Sequence, residues 1–196
     1  SQGELRGPVV FADTQDNPGC GGSGDTTGIL RALLLSGVTS AVVAMIFDPQ
    51  SAEKAFAAGV GATVSLQLGE ASGVTGHVPL HVVAQVRARR EQPILATGAF
   101  YRGCDLDVGK VVLLRIRHVD VMVGSRNLQA ADQSLLRALG VDPLNYAVIA
   151  LKSSVHFRAD FQSLAHDVLV VRSPGLNQAD LTSLRYRYLR EGVSIE

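Results

Sequence analysis

The residues best suited to chemistry lie in two short segments of the chain. The first, ADTQDNPGCGGSGDTT at residues 12–27, holds four glycines, three aspartates, an asparagine and a proline. The second, LKSSVHFR at residues 151–158, holds a lysine, two serines, a histidine and an arginine. Carboxylate, imidazole and guanidinium groups transfer protons or bind charged ligands. We therefore take these two segments as the candidate site.

The glycine-rich segment permits a functional and a structural interpretation. Its backbone N–H groups would form a nest for an anion ahead of a helix N-terminus, but Asp25 is predicted to cap that helix and would repel a phosphate. The segment also lacks the Gly-Lys-Ser/Thr ending of a nucleotide P-loop and does not fit GxGxxG in a dinucleotide context. The structural alternative is a tight turn held by Asx-type hydrogen bonds. The candidate residues here are Asp13, Asp16, Asn17, Gly19, Gly21, Gly22 and Asp25.

The basic segment is predicted to open a helix over residues 156–165, with Ser153 or Ser154 as its cap. Cationic groups at a helix N-terminus oppose the macrodipole, so their presence favours a site for a carboxylate or another anion. The alternative is a solvated helix start that happens to be basic. The candidate residues here are Lys152, Ser153, Ser154, His156 and Arg158.

Nucleophilic and metal chemistry have less support in the sequence. Ser153, His156 and Asp160 lie too close along the chain to form a catalytic triad. A helix N-terminus would activate the Cys20 thiol, but the neighbouring aspartates oppose this effect. The chain contains no HExxH and no Asp-x-His motif. We therefore predict no catalytic residue and no metal site within this chain.

The elements that must position the two segments alternate between strands and helices. Apolar runs predict strands at residues 8–12, 41–47, 146–151 and 168–171, and helical spacing predicts helices at 29–35, 50–58, 132–139 and 156–165. If the strands at 8–12 and 146–151 are parallel neighbours, both candidate segments leave the same edge of the sheet. The acidic group of Asp13, Asp16 and Asp25 would then face the basic group across a crevice.

The middle of the chain follows a different pattern. Apolar residues alternate over residues 63–68 and 80–86, and two further strands at 111–116 and 119–123 follow without helical spacing. This pattern predicts antiparallel hairpins. We predict an α/β fold, a mostly parallel sheet flanked by helices, as a single domain over residues 1–196. An antiparallel β insertion or lobe is predicted at residues 60–125.

Composition excludes some classes of partner. Eighteen basic and eighteen acidic residues cancel, so the chain has no electrostatic footprint for nucleic acid or an anionic membrane. No apolar run approaches the roughly 20 residues that span a bilayer. Two cysteines without a CxxC motif favour a cytoplasmic setting. The opening Ser-Gln-Gly is typical of an expression remnant, so we expect a fragment of a longer protein.

Both segments resemble the C-terminal domain of the microcystinase C-like (microcystin LR degradation protein) family of zinc metallopeptidases. That family carries Asp-Asn-Pro-Gly-Gly-Gly followed by Gly-Asp-Ser/Thr, matched here by residues 16–21 and 24–26, and Lys-Ser-Ser-x-His-Phe-Arg, matched by residues 152–158. Further pieces are IFDP at 46–49, AGVGA at 58–62, SRNLQAAD at 125–132 and SPG at 173–175. Cys20 replaces the family's usual glycine and would be strained if that position needed a positive φ.

The resemblance implies half of an enzyme. The zinc ligands of the family belong to an N-terminal domain and have no match in this chain, so the resemblance implies zinc in the parent protein and an N-terminal metal-binding domain as partner. It also implies a peptide or amide substrate and a chain that is inactive alone. Two alternatives remain at this point: a non-catalytic module that binds a small anionic ligand, and a structural or assembly domain. An oligomer is compatible with each of these.

Overall fold

The computed structural model describes residues 7–195 and contains ten strands and four helices. The strands are β1 (Val9–Asp13), β2 (Ala41–Phe47), β3 (Thr63–Leu68), β4 (Leu80–Arg90), β5 (Ile94–Leu95), β6 (Asp105–Leu106), β7 (Val111–Ile116), β8 (Val119–Gly124), β9 (Val148–Leu151) and β10 (Asp167–Val171). The helices are α1 (Gly28–Leu35), α2 (Pro49–Ala58), α3 (Ser134–Arg137) and α4 (Arg158–Phe161).

Eight of the strands form one mixed sheet in the order β10-β1-β9-β2-β8-β7-β4-β3. From β10 to β8 each strand is parallel to its neighbour, and from β8 to β3 each pairing is antiparallel. The small strands β5 and β6 pair separately. The predicted α/β fold is confirmed. The strands predicted as an insertion at residues 60–125 continue the main sheet, because β8 pairs with β2.

The centre of the sheet is covered on both faces, which explains why its central strands are continuously apolar. Successive residues of β2 alternate between two cores: Val43 packs with α1 and α2, whereas Val42 and Ala44 pack with α3, α4 and the β5–β6 hairpin. Six of the seven residues of β2 are buried. In β3 only every second residue is buried, because one face of the antiparallel end remains open.

The observed bounds of some helices agree with the bounds predicted from the sequence, and those of others do not. The helix α2 begins after Asp48, whose carboxylate accepts the N–H of Ser51 at 2.9 Å, and Pro49 occupies its first turn. The helices predicted at residues 132–139 and 156–165 are shorter, since only four residues of each are helical. No helix within residues 7–195 combines the length and apolarity needed to cross a membrane.

Candidate functional site

The two candidate segments meet at one edge of the sheet. The strands β1 and β9 are parallel neighbours, with Ala12 opposite Leu151 in the register. The glycine-rich segment leaves the carboxyl end of β1 and the basic segment leaves the carboxyl end of β9. The condition that both segments leave the same edge of the sheet is therefore met, and loops at this edge are the ones that form ligand sites in open α/β sheets.

A buried ion pair joins the two segments directly. The ammonium of Lys152 lies 2.5 Å from Oδ2 of Asp16 and 3.2 Å from Oδ2 of Asp13. It also donates to Oγ1 of Thr26 at 3.3 Å. All four residues have no exposed surface. The acidic and basic groups predicted to face each other across a crevice are thus partly in contact, and Lys152 has no free face for a ligand.

The carboxylate of Asp16 organises the glycine-rich loop. Its Oδ1 accepts the N–H of Gly24 at 2.7 Å, and its Oδ2 accepts both the N–H and the hydroxyl of Thr26 at 2.8 Å. Burial by itself would raise the pKa of Asp16. The charge and hydrogen bond of Lys152, together with the hydrogen bonds of Thr26, outweigh burial and hold the pKa of Asp16 below its ordinary value. The loop is therefore built around an ionised carboxylate.

The prediction that Asp25 caps the first helix is wrong. The residue before α1 is Thr27, and no side chain caps it. The carboxylate of Asp25 instead accepts the hydroxyls of Ser23 at 2.5 Å and Ser72 at 2.8 Å. Asp25 lies three residues before the first residue of the helix. Its hydrogen bond with Ser72 holds the carboxylate against the turn that follows β3.

The glycine N–H groups are used within the loop. Those of Gly19, Gly21 and Gly22 donate to Oδ1 of Asn17, the carbonyl of Pro18 and the carbonyl of Asn17 respectively. Because the N–H of Gly24 binds Asp16, none of the four is left to form an anion nest. The structure thus favours the interpretation of this loop as a tight turn with Asx-type hydrogen bonds.

The backbone of the loop depends on glycine at several positions, of which Gly21 and Gly22 are examples. Gly21 has a φ of 86°, a conformation that L side chains rarely adopt. A Cβ on Gly22 would lie 2.6 Å from the backbone nitrogen of Asn17, so only glycine fits there. The strain expected for Cys20 is absent, since Arg117 is the one non-glycine residue with a positive φ in the part of the chain that the structure describes.

The prediction that Ser153 or Ser154 caps a helix is also wrong. The hydroxyl of Ser153 accepts from the side-chain amide of Gln129 at 2.7 Å, and that of Ser154 accepts from the amide of Asn17 at 2.9 Å. Both serines are drawn into the contact between loops. The helix α4 consequently begins only after Phe157 and has no side-chain cap.

His156 and Arg158 remain near the surface. The ring of His156 is exposed, its Nδ1 lies 3.2 Å from Oε1 of Gln129, and it stacks on Phe100 with ring centroids 4.0 Å apart and an interplanar angle of 12°. The half-buried Arg158 donates to Oε1 of Gln162 at 2.8 Å. The three basic side chains therefore do not converge: Lys152 is buried between carboxylates, and His156 and Arg158 lie at the surface.

Sequence reasoning missed three residues that hold this site together. Gln129 bridges Ser153 and His156, and Phe100 supports the imidazole. The hydroxyl of Ser173, after β10, donates to Oδ1 of Asp13 at 2.5 Å. The residue type of an uncharged polar or aromatic side chain does not by itself indicate a functional role in a sequence. Gln129 and Ser173 do lie in SRNLQAAD and SPG, two of the pieces on which the family resemblance rests.

The described residues do not fit a zinc ion. Within residues 7–195, no three His, Cys, Asp or Glu side chains come together in a way that could hold a metal. Asp13 and Asp16 are the paired carboxylates of the site, and the Lys152 ammonium already lies between them. That ammonium supplies the positive charge that a metal ion would otherwise bring.

Comparisons with known proteins agree with this architecture. A family model described as MlrC C-terminus matches residues 11–188. The chain is 32% identical to Microcystinase C of a Sphingomonas species over 166 residues, which is 85% of this chain and 32% of that protein. The crystal structure of a protein described as a putative metallopeptidase, from Mesorhizobium sp. BNC1, superposes with a TM-score of 0.80 at 26% identity, covering 88% of this chain and 34% of that one.

These matches cover only part of each relative, which limits the properties of the relatives that can be assigned to this chain. The chain spans about a third of the length of either relative. The matched region nevertheless includes both segments of the candidate site and all of the eight-stranded sheet except the first two residues of β1. On its match over residues 11–188, the chain belongs to the family of MlrC C-terminal domains.

Proposed function

We propose that this chain is the C-terminal part of a zinc-dependent peptidase or amide hydrolase and forms one wall of its substrate cleft. The metal would be bound by the N-terminal part of the same protein. Support comes from the similarity to Microcystinase C and to the Mesorhizobium protein, both about three times as long as the matched region. The peptide or amide substrate and the zinc ion follow from the family resemblance.

The observation that carries the proposal is the ion pair of Lys152 with Asp16. It fastens the loop after β1 to the loop after β9 through contacts within this chain, so the edge of the sheet is preorganised. A preorganised wall presents its exposed groups in one geometry, which is what a cleft needs to position a substrate.

The candidate residues divide into two roles under this proposal. One group is fully buried and holds the loops: Asp13, Asp16, Asn17, Lys152 and Ser153. The exposed or half-buried group contacts the substrate: Gly19, Gly21, Ser154, His156 and Arg158. Buried Gly22 and half-buried Asp25 shape the turn between them. The substrate therefore meets an imidazole and a guanidinium, and it does not meet Lys152.

A cytoplasmic setting is part of the same proposal. Cys20 and Cys104 are both unpaired and both exposed. Exposed free thiols persist where glutathione and thioredoxin keep them reduced.

The test uses the full-length parent protein and a library of fluorogenic peptide and amide substrates. We expect His156→Ala and Arg158→Ala each to lower kcat/KM by about tenfold or more, which corresponds to about 1.4 kcal/mol of lost transition-state stabilisation. His81→Ala and Arg87→Ala are matched controls, because both residues are exposed on β4, away from this edge. An unchanged kcat/KM in variants that keep their fold and metal content would refute the proposal.

A further inference from the structure

We propose that Gln129 is a positioning residue that holds the proton of His156 on Nδ1 and leaves Nε2 as a hydrogen-bond acceptor for the ligand. The ligand group that meets Nε2 is then an N–H or O–H donor, such as an amide, an amine or a water molecule. The role toward a substrate rests on the proposed function. The control of the tautomer does not, because it follows from contacts within this chain.

The side-chain amide of Gln129 is oriented with its nitrogen toward Ser153 and its oxygen toward His156. Gln129 is only 4% exposed, its Nε2 lies 2.7 Å from the hydroxyl of Ser153, and its Oε1 lies 3.2 Å from Nδ1 of His156. A carbonyl oxygen can only accept, so Nδ1 must donate. The proton of the neutral ring is therefore on Nδ1, and Nε2 keeps its lone pair.

The backbone of Gly19 supports this orientation of the amide. A Cβ built on Gly19 would lie 2.2 Å from Oε1 of Gln129. Glycine has a hydrogen in that direction, so the oxygen receives a close C–H contact. An NH2 group in the same place would direct its hydrogens against that hydrogen. The glycine-rich loop thus selects the amide orientation, and through it the tautomer of the histidine.

Aromatic stacking also fixes the plane of the His156 imidazole. Phe100 stacks on the ring at 4.0 Å between centroids, and Tyr101 meets Phe100 edge-on at 4.6 Å. The hydrogen bond from Gln129 and the stacked ring together restrict both torsions of the His156 side chain. Nε2 has no hydrogen-bond partner among residues 7–195, in spite of this fixed ring. A group that is oriented on one side and free on the other is arranged to receive a ligand.

The chemical consequence is an inversion of the usual tautomer. An unconstrained neutral histidine side chain carries its proton mostly on Nε2, which would make that atom a donor. With Nδ1 protonated, Nε2 accepts a hydrogen bond from an N–H or O–H group, as the attacking water or the amide nitrogen of a hydrolase substrate presents. Gln129 acts through His156 and touches no ligand itself.

The experiment is a nitrogen-15 NMR measurement of the histidine tautomers in this 196-residue chain, at an alkaline pH where imidazole is neutral. His156→Gln identifies the His156 signals by their loss. We expect Nδ1 to be the protonated nitrogen in the wild type. In Gln129→Met, which keeps the length of the side chain and removes its acceptor, we expect the population to shift to the Nε2–H form. A wild type with Nε2 protonated, or a Gln129→Met variant with an unchanged tautomer, would overturn the inference.

Two further variants separate positioning from a general loss of structure. Gln129→Glu keeps an acceptor for Nδ1, since the hydroxyl of Ser153 can turn to donate to the carboxylate, and we expect the wild-type tautomer. In Gly19→Ala the added Cβ would collide with Oε1 of Gln129. We expect this variant to shift the tautomer population toward the Nε2–H form, as Gln129→Met does. Unchanged signals of His81, which lies on β4, show that the fold is retained.

The parent protein distinguishes failure of this inference from failure of the proposed function. If both hold, Gln129→Met and His156→Ala lower kcat/KM, and combining them costs no more than His156→Ala alone. A kcat/KM that His156→Ala leaves unchanged refutes the proposed function, while the NMR result still decides the tautomer. Additive losses in the double variant would show that Gln129 does not act through His156.

Discussion

Replacing Lys152 by methionine removes the cation that lies between Asp13 and Asp16. The side chain is 1% exposed and its ammonium has carboxylate oxygens at 2.5 and 3.2 Å, so no solvent compensates for the loss. Breaking a buried ion pair by removing one partner costs about 3–5 kcal/mol. That is a large part of the roughly 5–15 kcal/mol that stabilises an ordinary domain.

The assay is urea denaturation followed by circular dichroism, since the chain has no tryptophan. With a slope of about 1–3 kcal/mol per molar urea, near its upper end for this length, Lys152→Met should lower the midpoint by about 1–2 M. Acidification towards pH 5 should reduce the deficit. Without the ammonium, burial raises the pKa of Asp16 in the variant, and protonation removes the unpaired charge.

Two matched variants make the result decisive. Lys54→Met removes an exposed lysine whose ammonium donates to the carbonyl of Ser65 at 2.9 Å, and a surface change of this kind stays within about 0.5 kcal/mol. Lys152→Met combined with Asp16→Asn should recover part of the loss, because it removes the charge that the first change leaves unpaired. A Lys152→Met midpoint equal to that of Lys54→Met would refute the reasoning that this ion pair joins the loops.

Three further predictions concern the loops and the helix that the sheet edge supports. The wild type should lose stability as the pH falls below about 4. The pKa of Asp16 is lower in the folded chain than in the unfolded one, so its ionised form stabilises the fold above the unfolded pKa, and this stability is lost when the carboxylate is protonated. A shallower acid dependence of the urea midpoint in Asp16→Asn checks this. Gly22→Ala should cost about 2 kcal/mol or more, whereas Gly73→Ala, with no atom within 4 Å of its added Cβ, should be nearly neutral; equal thermal stability of the two contradicts the packing argument. Asp48→Ala should cost about 1–2 kcal/mol, since its carboxylate caps α2 and accepts the N–H of Gly69 at 3.0 Å; an unchanged urea midpoint contradicts this.

Local signals account for the parts of the fold that were predicted correctly. The apolar run of β2 and the Asp48–Pro49 start of α2 act within a few residues, so composition and capping rules suffice. The apolar runs of β1 and β9 predict two buried strands in the same way. These are features in which a short stretch of chain determines its own conformation.

The contacts of the site were harder to predict because they are non-local. Lys152 and Asp16 lie 136 positions apart, and no periodicity indicates that a basic residue after one strand neutralises an acidic one after another. Asp25 is the predicted cap of the first helix because it lies shortly before that helix in the sequence. In the structure, the backbone N–H groups of Gly24 and Thr26 bind the carboxylate of Asp16 instead. Two carboxylates nine positions apart in one loop cannot be told apart by spacing alone.

The most direct test of the central claim is a distance between this chain and the metal that we propose for the parent protein. Cys20 is exposed on the glycine-rich loop and can carry a spin label in a single-cysteine form of the parent whose metal is exchanged for cobalt. Because a cleft of about 300–1,000 Å³ is roughly 10 Å across, we expect the metal to lie within about 15 Å of the label and to relax it strongly. A label at Cys20 that the metal does not relax would contradict it, since the loop would then lie away from the cleft.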